Sequence, residues 1–194
     1  MKNRVKVLKK YFRKLRGVKN EAVETFIQET TEEALLRSKK LLCLVDTKIS
    51  NPIVISTPNT EGRNDIKFRI TKMEDGSYRV DYDHAVLTTL FLSSQGLFYH
   101  QAIVNYYSGK VTADLTGEID LCDISHVQTE LTCQDKEDPK YSSLVLKLHI
   151  VDGSSILIPL RKHYMYDGYQ YPEVLTEKER YIIETIKTAI RLAK

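Results

Sequence analysis

Residues 143–161 read SLVLKLHIVDGSSILIPLR, two strand-like runs joined by Asp152-Gly153. Asp-Gly between such runs predicts a hairpin closed by a type I′ turn, in which both central residues take positive φ. Pro159 has no amide hydrogen to donate, so its strand belongs at a sheet edge or beside a bulge. After a tyrosine-rich loop comes the helix 176–194. Thr176-Glu-Lys-Glu179 fits a capping box, in which the threonine hydroxyl and the glutamate each satisfy a free amide. Ile182, Ile186, Ala189, Ile190 and Ala193 then fall on one apolar stripe.

Upstream, strand signals recur at short intervals. Residues 52–56 are a short strand candidate, and 57–64 form a loop rich in turn formers. Ile66, Phe68 and Ile70 alternate with Lys67 and Arg69, and Asp75-Gly76 turns that run into 78–83, a hairpin with one polar face. Strands follow over 86–93 and 97–107 around the turn Ser94-Gln95-Gly96. A softer segment holding Gly109 and Gly117 precedes candidates at 119–122 and 124–131, and the polar loop 134–140 is expected to be exposed. Many short antiparallel strands closed by one amphipathic helix predict an α+β fold, a β-barrel or sandwich plugged by the C-terminal helix.

The chain has 194 residues, 42% of them hydrophobic, which suits one domain with an extension. The expected division is a helical segment, 1–46, and a β-rich body, 47–194, that ends in a helix over 176–193. There is no apolar run of about 18 residues and no signal-type leader, so a cytosolic chain is expected. Cys43, Cys122 and Cys133 lie far apart, which fits buried thiols rather than a disulfide framework.

Charge is distributed unevenly. Residues 1–19 carry nine Lys or Arg and no acid, whereas the remainder holds 20 basic against 26 acidic residues. Within 2–16, Val5, Leu8, Phe12 and Leu15 recur at helical spacing among these cations. Two readings of this basic amphipathic helix stand side by side. In one, Phe12 and the stripe enter an anionic membrane while Lys2, Arg4, Lys6, Lys9, Lys10, Arg13, Lys14 and Arg16 meet its headgroups. In the other, the stripe docks on the protein's own body and the cations are solvated. Gly17 is the expected terminator of this helix.

A second helix is expected over 20–45, capped by Asn20, with Glu21 and Glu24 in its first turn. Its stripe comprises Val23, Phe26, Ile27, Ala34, Leu41 and Val45, with Thr30 and Ser38 as small polar members. The acidic first half of this helix suits pairing with the basic arm as an antiparallel helical hairpin.

Signals for chemistry are sparse. His84, His100, His126, His149 and His163 show no metal-binding spacing, so they read as separate surface or core residues, although the strand positions of His100, His126 and His149 would let them meet. Asp81 and Asp83 fall on one strand face, which reads as a solvated polar face. No nucleophile–base or phosphate-loop motif is present, so neither a catalytic site, a metal nor a cofactor is expected. Residues 163–171 read HYMYDGYQY and hold four of the twelve tyrosines. Tyr164, Tyr166, Tyr169 and Tyr171 make either a contact surface for a partner or second copy, or a clamp over the body.

The strings FLSSQGLFYHQ at 91–101, GEIDLCDISHVQTEL at 117–131 and LVLKLHIVDGSSILIPL at 144–160, followed by a helix, resemble the pleckstrin-homology-like folds of bacterial proteins. That resemblance implies a binding or oligomerisation module. Phosphoinositide-binding members carry bases in the loop after the first strand, whereas the matching turn in this chain is Ser94-Gln95-Gly96. The expected function is a non-catalytic cytosolic binding or scaffold module, associated with the inner face of an anionic membrane through the basic helix. Two alternatives are a nucleic-acid-associated protein using the basic arm and a protein–protein adaptor without membrane contact.

Overall fold

A computed structural model describes residues 2–44, 49–61, 65–73, 78–134, 141–163 and 174–194, and over these residues three helices and ten strands make an α+β fold. In chain order they are α1 (Lys2–Phe12), β1 (Arg16–Val18), α2 (Glu21–Leu41), β2 (Ile53–Pro58), β3 (Phe68–Lys72), β4 (Tyr78–Tyr82), β5 (His84–Leu92), β6 (Gly96–Asn105), β7 (Lys110–Asp120), β8 (Ile124–Gln134), β9 (Tyr141–Ile150), β10 (Ser155–His163) and α3 (Glu177–Ala193). The strands form three sheets, ordered β1-β3-β4, β2-β5-β6-β7 and β10-β9-β8. All pairings are antiparallel except β1 with β3. The described strands do not close into a barrel, which corrects that half of the barrel-or-sandwich expectation.

The four-stranded sheet carries a core on each face, because strand residues alternate sides. Leu90, Leu92, Leu97 and Ile119 pack with Leu144, Leu146, Leu148 and Ile158, and this core is covered by Ile182, Ile186 and Ile190 of α3. Leu87, Ala102 and Val104 join Leu8, Tyr11, Phe12, Val23 and Ala34 of the two N-terminal helices in a second core. The three isoleucines of α3 are buried and its capping box is formed, as expected. Glu179 also accepts both Arg161 Nε (2.7 Å) and Arg161 Nη2 (2.5 Å), so a buried ion pair joins α3 to β10. Arg161 Nη2 further donates to the Val174 carbonyl at 3.0 Å.

Several local expectations are corrected. The hairpin turn has positive φ at Gly153 only (89°), so it is not type I′. Gly153 N donates to Ile150 O (3.0 Å) and Ile150 N to Ser154 O (2.9 Å), a longer turn in which glycine takes the one left-handed position. Pro159 lies on an edge strand, beside a register shift, as both of its readings required. The soft segment around Gly117 is the 11-residue strand β7. α1 ends at Phe12 rather than residue 16, and α2 at Leu41 rather than 45. Leu41 is exposed, while Leu44 beyond the cap turns in against Phe91 and Phe98. Gly17 sits in β1, where a Cβ would overlap the Arg69 guanidinium, so close approach rather than helix termination requires glycine there.

His163 ends β10 in a buried position, with its ring edge-on to Phe68 at 6.1 Å. Burial, then the charge of Arg161, pushes its pKa down to about 4. The unfolded chain takes up this proton near pH 6.5, whereas the folded state resists it until about pH 4. Stability contributed by neutral His163 is therefore complete above about pH 6.5 and falls by about 3 kcal/mol as the pH drops to 4. Urea unfolding across this window should show wild type losing about 3 kcal/mol more than His163→Gln. Parallel pH profiles for the two proteins would refute this.

Candidate anion-binding face

The basic arm is locked to the body by its inward-facing residues. Leu8, Tyr11 and Phe12 sit one turn or one residue apart, so a single helix face carries all three into the second core. Arg4 reaches between them to α2 and to the segment after β6. Its Nε donates to Tyr106 O (2.8 Å), its Nη2 to Phe26 O (2.7 Å), and its Nη1 pairs with Glu29 (3.1 Å). The Tyr11 hydroxyl donates to Asp81 Oδ2 at 2.7 Å, and the Arg69 guanidinium lies 4.3 Å over the Tyr11 ring. Burial and the nearby Asp81 carboxylate raise the Tyr11 pKa well above that of an ordinary phenol, so the hydroxyl stays a donor. Arg79 bridges Asp81 and Glu24, its Nε 2.7 Å from Asp81 Oδ1 and its Nη1 2.8 Å from Glu24 Oε2. Hydrogen bonding to Glu24 leads the causes that raise the Arg79 pKa, which keeps this bridge charged. The network ties α1, α2 and the β3–β4 hairpin into one scaffold.

Two of the residues expected to meet a membrane are thereby reassigned. Phe12 is 4% exposed and packs edge-on against Tyr11 (5.1 Å) and Tyr107 (6.1 Å). Arg4 is an internal tether. The docking alternative describes this stripe, because the body offers α1 a complementary apolar surface. Only the ion pair Arg4–Glu29 joins the two helices among the described residues, and two other α2 charges pair with the sheets, Glu24 with Arg79 and Arg37 with Asp114.

The outward face of α1 and the turn after it keeps Lys6, Lys9, Lys10, Arg13 and Lys14, all exposed and without ion-pair partners among the described residues. Arg16 is exposed on the edge strand β1. Leu15 and Val18 stand beside these cations at 45% and 73% exposure, and Val18 belonged to no stripe in the sequence. The side chain of Lys2, and Tyr164, Tyr166, Tyr169 and Tyr171, lie outside the described residues.

Other polar clusters are built into the scaffold. Asp81 and Asp83 are buried rather than solvated, Asp81 accepting from Tyr11 of α1 and from Arg79, and Asp83, just after β4, accepting from the Lys67 amide at 3.0 Å. His126 and His149 meet as cross-strand partners with rings stacked at 3.9 Å, whereas His100 lies in another sheet, bonded to Asp114 at 2.9 Å. Desolvation, then His126 and Lys147, holds the His149 pKa below its ordinary value. No group of three His, Cys, Asp or Glu side chains among the described residues is arranged to hold a metal ion. A cleft of about 330 Å³ opens between the four-stranded sheet and β10, floored by Val86, Ile103 and Leu115 and edged by Asn59, Gln101 and Lys162. No described helix is long and apolar enough to cross a membrane.

Compared with known proteins, the chain matches no family model, no curated protein and no solved structure.

Proposed function

We propose that this protein is a non-catalytic binding module of pleckstrin-homology-like type that associates peripherally with anionic membrane at the cytoplasmic face. The observation that carries the reading is the array Lys6, Lys9, Lys10, Arg13 and Lys14, held outward without ion-pair partners among the described residues by the buried side of the same helix. Each cation near an anionic leaflet contributes about 1 kcal/mol. Leu15 and Val18 add a small apolar contact, so attraction to charge outweighs insertion. The pleckstrin-homology-like assignment is supported by consecutive antiparallel strands followed by a capped helix that plugs the apolar face of β8–β10. Nucleic acid is the weaker partner. Tyr11 and Phe12 point inward, and neither ring stands beside the cations where a base could stack.

Sedimentation with phosphatidylserine-containing vesicles tests the proposal. Binding is expected at about 0.1 M salt, where the Debye length is roughly 10 Å, and should fall steeply toward 0.5 M. Replacing Lys6, Lys9, Lys10, Arg13 and Lys14 with glutamine should abolish it while leaving thermal unfolding within about 0.5 kcal/mol of wild type. Undiminished sedimentation of the substituted protein, or equal binding to uncharged vesicles, would overturn the reading. Preferential binding to an oligonucleotide at matched salt would transfer the face to nucleic acid.

A further inference from the structure

Two prolines hold the sheets apart where they meet. β2 and β10 are edge strands of different sheets, and Pro58 and Pro159 both line the cleft between them. By the alternation of the two ladders each proline nitrogen faces outward from its own sheet, and neither has a hydrogen to donate across the gap. The four-stranded sheet is therefore only partly covered. Leu90 and Leu92 enter the core under α3, whereas Val86, Ile103 and Leu115, on the same face, are left to floor the cleft. Leu115 is 57% exposed there. α1 and α2 pack on the opposite face, against Leu87, Ala102 and Val104, so the cleft is separate from the outward cations.

At the end of β2 this apolar floor meets two unsatisfied donors. Lys162 Nζ donates to the Thr60 hydroxyl, a neutral partner, and has no carboxylate within ion-pair distance among the described residues. Asn59 is only 7% exposed, and its Oδ1 accepts the Glu61 amide at 3.3 Å while its Nδ2 has no hydrogen-bond partner among the described residues. Glu61 and Asp114 also border the cleft. Glu61 is exposed to solvent, however, and Asp114 is taken by Arg37 and His100. We infer that the cleft binds a small monocarboxylic acid with an apolar body, its carboxylate held by Lys162 and Asn59 and its body laid over Val86, Ile103 and Leu115. A carboxylate supplies the acceptor that both donors lack, and a cationic head would leave Lys162 facing a like charge. The floor crosses β5, β6 and β7, about 10 Å at the usual strand spacing. Its volume of about 330 Å³ lies at the small end of ligand sites.

Isothermal titration calorimetry of the full chain without lipid tests this, with octanoate, octanol and octylamine as probes. Octanoate is expected to bind with a Kd below about 1 mM, at least about tenfold tighter than either of the other two. Lys162→Met keeps the stem and removes the charge, so it should weaken octanoate about tenfold and leave octanol unchanged. Leu115→Asp should weaken both, and Glu61→Gln should lower neither. Lys162 and Leu115 are partly exposed, so both variants should stay folded, which thermal unfolding checks. Glutamine at Lys6, Lys9, Lys10, Arg13 and Lys14 should leave octanoate binding intact, which separates this site from the membrane-binding face. Absent octanoate binding at about 5 mM, octanol or octylamine binding as tightly, or octanoate affinity unchanged by Lys162→Met or Leu115→Asp would each overturn the site. Loss of octanoate binding on Glu61→Gln, or with the five cations of the basic face, would do the same.

Discussion

Replacing Glu179 with alanine is expected to lower the unfolding free energy by about 3–5 kcal/mol, the cost of leaving a buried charge without its partner. Glu179 accepts two bonds from Arg161 and closes the capping box on the Thr176 amide at 2.8 Å, so its loss removes the carboxylate paired with a buried guanidinium and one half of the α3 capping box together. α3 covers the β8–β10 core, and the damage therefore spreads beyond one ion pair. In urea, the midpoint should fall without a change in slope. The double replacement Arg161→Met and Glu179→Met should recover much of the loss, since removing both charges leaves neither one buried alone. A loss below about 1 kcal/mol for the single variant would show that Arg161 finds other partners at no cost.

Phe12→Ala is expected to cost about 3–5 kcal/mol through the cavity it leaves among Leu8, Tyr11 and Tyr107. The same variant, assayed below its unfolding temperature, should keep its vesicle binding, because the cations face away from that cavity. This pair of outcomes separates a docked stripe from an inserted one. If Phe12→Ala left stability within about 0.5 kcal/mol and removed vesicle binding, α1 would be an inserted helix that this packing misplaces. Deleting residues 1–19 should cost still more than Phe12→Ala, since it also removes the Arg4 tether and leaves Asp81 without the Tyr11 hydroxyl.

Where a signal is local, it can be read from the chain. The capping box at Thr176–Glu179, the Asn20 cap, the bulge at Pro159 and the burial of Ile182, Ile186 and Ile190 each depend on residues within a few positions of one another. Backbone sterics, amide satisfaction and helical period act over that range. The position of the turn at Gly153 is legible in the same way but its type is not, because two neighbouring residues do not reveal how strand twist and register choose among turn geometries.

Periodicity determined that α1 has an apolar face, that its opposite face is basic, and that 143–161 is a hairpin. What each face meets was decided by the tertiary structure. The stripe Leu8–Phe12 looks the same in sequence whether its partner is lipid or protein, and only the surface offered by Val23, Ala102 and Val104 makes it a core. Alternation likewise put Asp81 and Asp83 on a polar face, yet Tyr11, Thr71, Arg79 and a backbone amide supply enough donors to bury that face. A charge can leave water only when distant residues bring compensating hydrogen bonds, and such meetings between residues tens of positions apart are set by topology. For the same reason the split of the basic cluster into the tether Arg4 and the outward cations Lys6, Lys9, Lys10, Arg13 and Lys14 follows from where α2 and the segment after β6 come to lie, not from the spacing of the cations themselves.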